Sequence, residues 1–152
     1  MGEQQRHHPD KLRLGDIAPG LAYDTGGIVV TESHIVNFAG VSGDFFDVHM
    51  DDDFARRQGF AGRVAHGLLC LSLIDGLKNR AETRFAAVAS LEWSYRFLAP
   101  VLAGDRIHAR ITVLETRPTR DGKRGVVKLD FAVLNQRGER VQEGVNTLLV
   151  EA

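Results

Sequence analysis

The sequence contains one cysteine, Cys70, which excludes an intramolecular disulfide and any metal or redox site built from two cysteines of the chain. Cys70 lies in a leucine-rich run, where we expect it to act as a small buried hydrophobic residue. An excess of one charge is also missing, since 19 Lys and Arg face 20 Asp and Glu for a formal net charge of −1. This balance gives no general electrostatic reason to expect binding to nucleic acid or to an anionic membrane.

Long hydrophobic runs are absent as well. The longest, around residues 68–77, is much shorter than the roughly 20 residues that a membrane-spanning helix needs. Residues 1–10 are polar and lack the apolar core of a secretory signal, so the cytoplasm is the expected location. We expect residues 1–11, including His7 and His8, to form a disordered tail without a metal role, and residues 12–152 to form a single domain.

The first half of the chain predicts short elements separated by turns. Residues 21–30 resemble a strand broken at Gly26 and Gly27. Thr31 or Ser33 is suited to cap a short helix that glycines end by residue 43. The acidic triplet at residues 51–53 is suited to cap another short helix. Capping is favoured over metal binding because three consecutive acids on a helix cannot all face one ion.

The second half predicts one long helix followed by a sheet. Residues 66–78 form the longest helical candidate, and its leucines point to most sides, which is typical of a buried helix. Four segments then alternate apolar and polar residues and are separated by turns, so antiparallel strands are expected. Their apolar positions are Trp93, Tyr95 and Phe97; Ile107, Ala109, Ile111 and Val113; Val127, Leu129, Phe131 and Val133; and Val141, Val145, Thr147 and Leu149.

Three ordered motifs carry a resemblance to a known family. Residues 43–51 read Gly-Asp-Phe-Phe-Asp-Val-His-Met-Asp, residues 64–67 read Val-Ala-His-Gly, and residues 97–105 read Phe-Leu-Ala-Pro-Val-Leu-Ala-Gly-Asp. Together they resemble the MaoC-like, or R-specific enoyl-CoA hydratase, branch of the hotdog superfamily. The resemblance implies an α+β fold in which a curved antiparallel sheet wraps around a long buried helix. It departs at Phe46 and Asp47, where the family has Asn and Pro.

The resemblance implies a hydro-lyase that acts on acyl-CoA thioesters. Asp44 and His49 would hold a water molecule for reversible addition to a trans-2-enoyl-CoA, giving an (R)-3-hydroxyacyl-CoA, and would share the acid and base functions. Their coupled titration leaves open which residue moves which proton. The backbone N–H of Gly67, at the start of the long helix, is suited to bind the thioester oxygen. A tight-packing role is the alternative for Gly67.

Four further residues are candidates for binding the substrate. Phe46 is expected to shape the acyl site, and Arg63 to meet a CoA phosphate, although a solvated arginine is the commoner case. His66 is placed beside the site, with a structural role as its alternative. Asp75 lies further along the helix, where a supporting or interface role competes with a place in the pocket.

Two other functions remain open, a hotdog acyl-CoA thioesterase and a non-catalytic acyl-binding subunit of a hetero-oligomeric dehydratase. The ordered Asp, His and His-Gly motifs favour the hydratase, whereas Phe46 keeps the subunit possible. No metal or cofactor is implied beyond the CoA thioester substrate. A homodimer, or a dimer of dimers, is expected because a second copy can cover the edge of a hotdog sheet.

Overall fold

The computed structural model describes residues 10–152, so most of the predicted N-terminal tail lies outside the described residues. The described chain begins with a 3₁₀ turn and continues through four helices and six strands. Their order is 3₁₀ Leu14–Asp16, β1 Ala22–Asp24, β2 Ile28–Val29, α1 Glu32–Ser42, α2 Asp47–Met50, α3 Asp52–Arg57, α4 Gly67–Asn79, β3 Ala87–Phe97, β4 Arg106–Pro118, β5 Arg124–Leu134 and β6 Arg140–Glu151. No helix of the described range is long and apolar enough to cross a membrane.

The six strands form an antiparallel sheet in the order β1-β4-β5-β6-β3, with β2 also pairing with β4. Consecutive strands β4, β5 and β6 are neighbours, as short turns between antiparallel strands favour. β3 pairs with β6 and ends the order, which leaves it as an edge strand. The predicted strand over residues 21–30 is divided into β1 and β2 by the two glycines.

Helix α4 packs on the concave side of the sheet and forms the core with it. The buried positions Leu69, Cys70, Ile74 and Leu77 contact the inward side chains of β4 and β5. The opposite stripe of the helix remains open in the single chain, and Leu68 is 60% exposed. The α+β hotdog architecture predicted from the sequence is therefore confirmed, with one face of the central helix uncovered.

The alternation predicted for β6 is correct at Val141, which is fully buried, and has the wrong phase from Gln142 onwards. Its inward positions are Gln142, Asn146, Leu148 and Val150, whereas Val145, Thr147 and Leu149 lie on the other face of the sheet. The register shifts between the pairs Val133–Gln142 and Leu134–Arg140, so Val141 forms a bulge. After the bulge, the alternate set of β6 residues faces inward. The prediction followed the more apolar set of residues, and the bulge placed the more polar set inside.

Candidate active site

The position of Asp44 is set by the end of helix α1, where Gly43 caps the helix just before Asp44. The helix ends at Ser42, and Gly43 has a left-handed φ of 77°, which a residue without a Cβ adopts at little cost. Asp44 Oδ1 then accepts a hydrogen bond from the backbone N–H of Phe46 at 3.2 Å. The second oxygen, Oδ2, is thereby left to face the ring of His49.

His49 lies on α2, a one-turn helix that the sequence patterns did not predict. Its Nδ1 is 2.6 Å from the carbonyl oxygen of Val64. Because a carbonyl oxygen only accepts, Nδ1 carries a proton, and in the neutral ring the lone pair is on Nε2. The side chain is only 13% exposed, so the ring has a fixed orientation with Nε2 turned towards Asp44.

The gap between the two side chains has the size of a bridging water. His49 Nε2 and Asp44 Oδ2 are 3.8 Å apart, too far for a direct hydrogen bond. A water molecule about 2.8 Å from each atom fits this separation. Since both atoms accept, such a water donates both of its hydrogens to the pair and keeps its oxygen lone pairs free to attack.

Helix α4 contributes a backbone donor next to His49. Gly67 is its first residue, so its N–H has no acceptor within the helix, and it makes no other hydrogen bond within residues 10–152. The helix dipole makes this N–H a favourable contact for a negative oxygen. A Cβ added at Gly67 would lie 2.8 Å from the ring of Phe97, so a larger residue here would force this cavity-lining ring or the helix start to shift.

A cavity of about 360 Å³ opens beside His49 and Gly67. Its apolar walls come from the segment before α4, the end of β3 and the following turn: Phe60, Val64, Ala65, Phe97, Leu98, Ala99, Pro100 and Val101. None of the described lysines or arginines lines it. Burial raises the pKa of the Cys70 thiol, which also lines the cavity, to about 12, so Cys70 is not a thiolate nucleophile at neutral pH.

Gln142 is a cavity residue that the sequence patterns missed. It is only 2% exposed, its Oε1 accepts from the Tyr95 hydroxyl at 3.0 Å, and its Nε2 donates to the Gly67 carbonyl at 3.2 Å. The amide thus joins β3 and β6 to the start of α4. The predicted alternation placed Gln142 on the outer face, so no signal in β6 alone identified it.

The third motif, residues 97–105, supplies one wall of the cavity and the contacts that hold this wall in place. Asp105 is buried and accepts from the backbone N–H of Leu102 at 2.9 Å and from Gln136 Nε2 at 2.7 Å. Val101 accepts from the backbone N–H of Ala65 at 2.7 Å, just before α4. The motif therefore fixes the turn that forms one cavity wall.

Comparisons with known proteins identify the family of the domain. The family model described as "MaoC like domain" matches residues 16–133, most of the chain. The chain belongs to the MaoC-like domain family. Protein MaoC of Klebsiella aerogenes is 38% identical over 109 residues, which cover 72% of this chain and 32% of that protein. An (R)-specific enoyl-CoA hydratase of Rhodospirillum rubrum is 35% identical over 86 residues, covering 55% of this chain and 58% of that protein.

Solved structures show the same fold. The MaoC-like dehydratase from Rhodospirillum rubrum superposes with a TM-score of 0.80 at 27% identity, covering 92% of this chain and 97% of that chain. A Mycobacterium tuberculosis protein described as having a double hotdog fold matches with a TM-score of 0.84 at 17% identity, over 96% of this chain and 46% of that chain. The matched segment spans only about a third to three fifths of the curated relatives' length.

The two departures of this MaoC-like domain lie at the mouth of the site. Phe46 does not line the cavity; it is 61% exposed and its ring meets the edges of His49 and Phe54 at centroid distances of 6.3 and 6.1 Å. Asp47 begins α2, where an acidic side chain suits the first turn of a helix. The predicted influence of Phe46 on the substrate therefore concerns the entrance rather than the cavity wall.

Arg63 is held by carboxylates of the MaoC-like domain itself. Its guanidinium Nη2 is 2.7 Å from Glu32 and its Nε is 3.9 Å from Asp52. Its side chain is 15% exposed, so little of the charge faces solvent. The structure therefore places Arg63 in an ion-pair cluster, and contact with a CoA phosphate stays a prediction.

His66 and Asp75 both lie away from the cavity lining. His66 is 3% exposed and stacks behind His49, with ring centroids 3.8 Å apart. Asp75 lies two turns further along α4, where it pairs with Lys78 at 2.6 Å. The structure gives Asp75 a partner at the far end of the helix rather than a place in the pocket, and Lys78 is buried rather than turned to solvent.

Asp44, His49 and His66 also form a group whose possible ligand atoms lie within 4.8 Å of one another. The two imidazoles, however, are stacked with an interplanar angle of 24°, so their ring lone pairs lie in nearly parallel planes. A metal ion needs ligand lone pairs that converge on one point. The arrangement therefore suits proton transfer better than chelation.

Proposed function

We propose that this MaoC-like domain is a hydro-lyase that reversibly hydrates trans-2-enoyl-CoA thioesters to (R)-3-hydroxyacyl-CoA. The observation that carries the proposal is the pair of acceptor atoms, Asp44 Oδ2 and His49 Nε2, held 3.8 Å apart. His49 also lines the apolar cavity, so a water between the two atoms would lie at the edge of an acyl-binding space. Relatives named as (R)-specific enoyl-CoA hydratases support the stereochemistry.

The geometry supports a balanced addition of water. The water oxygen bonds to C3 while one of its protons passes to the Asp44 and His49 pair, and the C2=C3 electrons move onto C2 and the thioester oxygen. The N–H of Gly67 stabilises the charge that builds up on this oxygen. C2 then takes a proton from the pair, and dehydration is the same sequence in reverse. The step needs no metal or redox cofactor.

The cavity favours an uncharged hydrocarbon chain. Its walls are apolar, and Gln142, its buried amide, already has Tyr95 and Gly67 as partners. An acyl chain in this space replaces water next to apolar side chains, which stabilises binding by about 0.8 kcal/mol per buried methylene.

The test is hydration of crotonyl-CoA and longer enoyl-CoA substrates by the purified protein, followed as loss of the enoyl absorbance. We expect hydration, with the R enantiomer as product. Release of free CoA from saturated acyl-CoA, without hydration, would establish a thioesterase instead. No hydration at any chain length, together with stable binding to a motif-lacking relative, would replace the proposal with the non-catalytic subunit.

We also propose that the protein forms a homodimer, or a dimer of such dimers, through the β3 side of the sheet. β3 ends the strand order and exposes Val88 and Leu91 by 46% and 54%, and Leu68 of α4 is 60% exposed. An uncovered edge strand with apolar side chains favours association with a second copy. Light scattering should give the dimer mass, and Leu91→Arg should lower it; a wild-type monomer at micromolar concentration would contradict the proposal.

A further inference from the structure

The buried ring of His66 contacts both members of the proposed dyad. Its Nε2 lies 2.9 Å from the backbone carbonyl oxygen of Asp44. Its face stacks on His49, with centroids 3.8 Å apart and planes 24° apart. On its other side, the ring of Phe38 on α1 packs at 4.9 Å. One buried ring thus links α1, the Asp44 turn, α2 and the start of α4.

Asp44 needs such a link because its own segment is exposed and locally bonded. Its side chain is 52% exposed. Within the described residues, its other hydrogen bonds connect its N–H to Ser42 Oγ and its Oδ1 to the N–H of Phe46. These bonds shape the turn but do not tie it to the rest of the domain. The bond from His66 is the one that ties Asp44 to the helix carrying Gly67.

The hydrogen-bond partners also define the tautomer of His66. A carbonyl oxygen only accepts, so Nε2 carries the proton that is donated to Asp44. Nδ1 is buried and has no hydrogen-bond partner among residues 10–152, which is consistent with an unprotonated nitrogen in a neutral ring. A proton on Nδ1 would be a buried donor without an acceptor.

We propose that His66 is a positioning residue that sets the separation of Asp44 Oδ2 and His49 Nε2 without contacting the substrate. It is 3% exposed and does not line the cavity, so it acts only through Asp44 and His49. The donated hydrogen bond fixes the turn of Asp44, and the stack fixes the plane of the His49 ring. This inference rests on the proposed hydration.

Two substitutions separate the hydrogen bond from the stack. His66→Gln keeps an N–H donor at a similar reach and loses the ring, whereas His66→Phe keeps a ring and loses the donor. A displacement of about 1 Å at a reacting group costs roughly 100-fold in rate. We expect kcat for enoyl-CoA hydration to fall about 100-fold in His66→Phe and about 10-fold in His66→Gln, with KM within about threefold of wild type in both.

A core variant of α4 provides the matched control for loss of stability. Ile74 is fully buried and does not line the cavity. Ile74→Val should lower the melting temperature and leave kcat unchanged per folded molecule. Wild-type kcat in His66→Phe, or a loss that lies in KM rather than kcat, would overturn the positioning role.

A measurement independent of activity keeps the inference testable if the variants do not fold or the wild type hydrates nothing. Long-range ¹H–¹⁵N spectra of the histidine rings in the wild-type protein report which nitrogen carries the proton. We expect His66 to be protonated on Nε2 and bare on Nδ1 at neutral pH. A ring protonated on Nδ1 and bare on Nε2 would contradict the bond to Asp44, and so the inference, whereas absent hydration with the expected tautomer present would count against the proposed function alone.

Discussion

The two ends of helix α4 hold polar side chains in opposite ways. At its C-terminal end, Lys78 is 4% exposed, pairs with Asp75 at 2.6 Å and donates to Asn146 at 3.4 Å. Asn146 in turn donates to Ser90 Oγ and to the carbonyl of Glu92, so ion pairs and hydrogen bonds within the protein hold this cluster together.

Near the N-terminal end, the three groups at which chemistry is proposed have no hydrogen-bond partner in the described chain. They are Asp44 Oδ2, His49 Nε2 and the N–H of Gly67. Asp44 and His49 face each other at 3.8 Å, and the N–H of Gly67 has no acceptor in the described chain. Unpaired donors and acceptors beside a cavity cost stability and are available to a ligand. On this comparison, we expect the C-terminal end of the helix to matter for stability and the N-terminal end for the proposed reaction.

The largest effect should come from the dyad itself. Asp44→Asn and His49→Gln each remove a proton acceptor of the proposed water, and we expect kcat for enoyl-CoA hydration to fall about 1000-fold or more. Asp47→Asn changes a neighbouring exposed carboxylate and serves as the control, with activity close to wild type. Wild-type rates in both dyad variants would show that Asp44 and His49 do not carry out the reaction, and the proposed functional difference between the two ends of α4 would be wrong.

The second largest effect should come from Gly67→Ala. The added Cβ would lie 2.8 Å from the Phe97 ring, so the ring, which lines the cavity, or the helix start with its N–H donor must move. We expect kcat/KM to fall by about 100-fold, the usual cost of losing one oxyanion donor. Gly76→Ala on the same helix meets no atom within 4 Å. This control should keep the activity and raise the free energy of unfolding by up to about 1 kcal/mol.

At the C-terminal end of α4, we expect a substitution to lower stability and to leave activity unchanged. Lys78→Met removes the donor to Asn146 and the partner of Asp75, which should lower the free energy of unfolding by about 2 kcal/mol. Activity per folded molecule should be unchanged, because the cluster lies away from the cavity. Lys123→Met alters an exposed lysine and should change stability by less than about 0.5 kcal/mol in urea unfolding.

The smallest effect concerns Cys70 and alkaline pH. Burial raises the pKa of its thiol from 9.0 to about 12, so the folded state keeps a proton that the unfolded state loses. Stability is therefore expected to fall as the pH rises through this window, and Cys70→Ala should lessen the fall. Urea midpoints across the window measure the slope. Native Cys70 should also resist thiol alkylation at neutral pH, and rapid labelling would show that it is accessible.

Prediction from the sequence worked where the determining contacts are local. Thr31 caps α1 by accepting from the N–H of His34 at 3.2 Å, and Asp51 caps α3 by accepting from the N–H groups of Asp53 and Phe54. These bonds join residues at most three apart, and backbone bonds to Asp51 lower the pKa of its carboxyl. The inward positions of β4 and β5 were also predicted, because their alternation is regular.

Prediction failed where distant segments decide which face of an element is buried. The bulge at Val141 turns Gln142 inward, and the Val141 carbonyl accepts from the N–H groups of Leu98 and Ala99 in the cavity wall. The apolar pattern of β6 favoured the other face. The pairing of Lys78 with Asp75 and Asn146 depends likewise on packing that no single segment specifies.

The sequence alone determined the family resemblance, the long helix followed by four strands, and Asp44, His49 and Gly67 as candidate residues. Only the tertiary structure decided the 3.8 Å gap between Asp44 and His49, the close approach of Phe97 to Gly67 and the position of His66 behind the pair. The physical reason is that caps and turns depend on neighbouring residues, whereas these distances depend on helices and strands that pack together from across the chain.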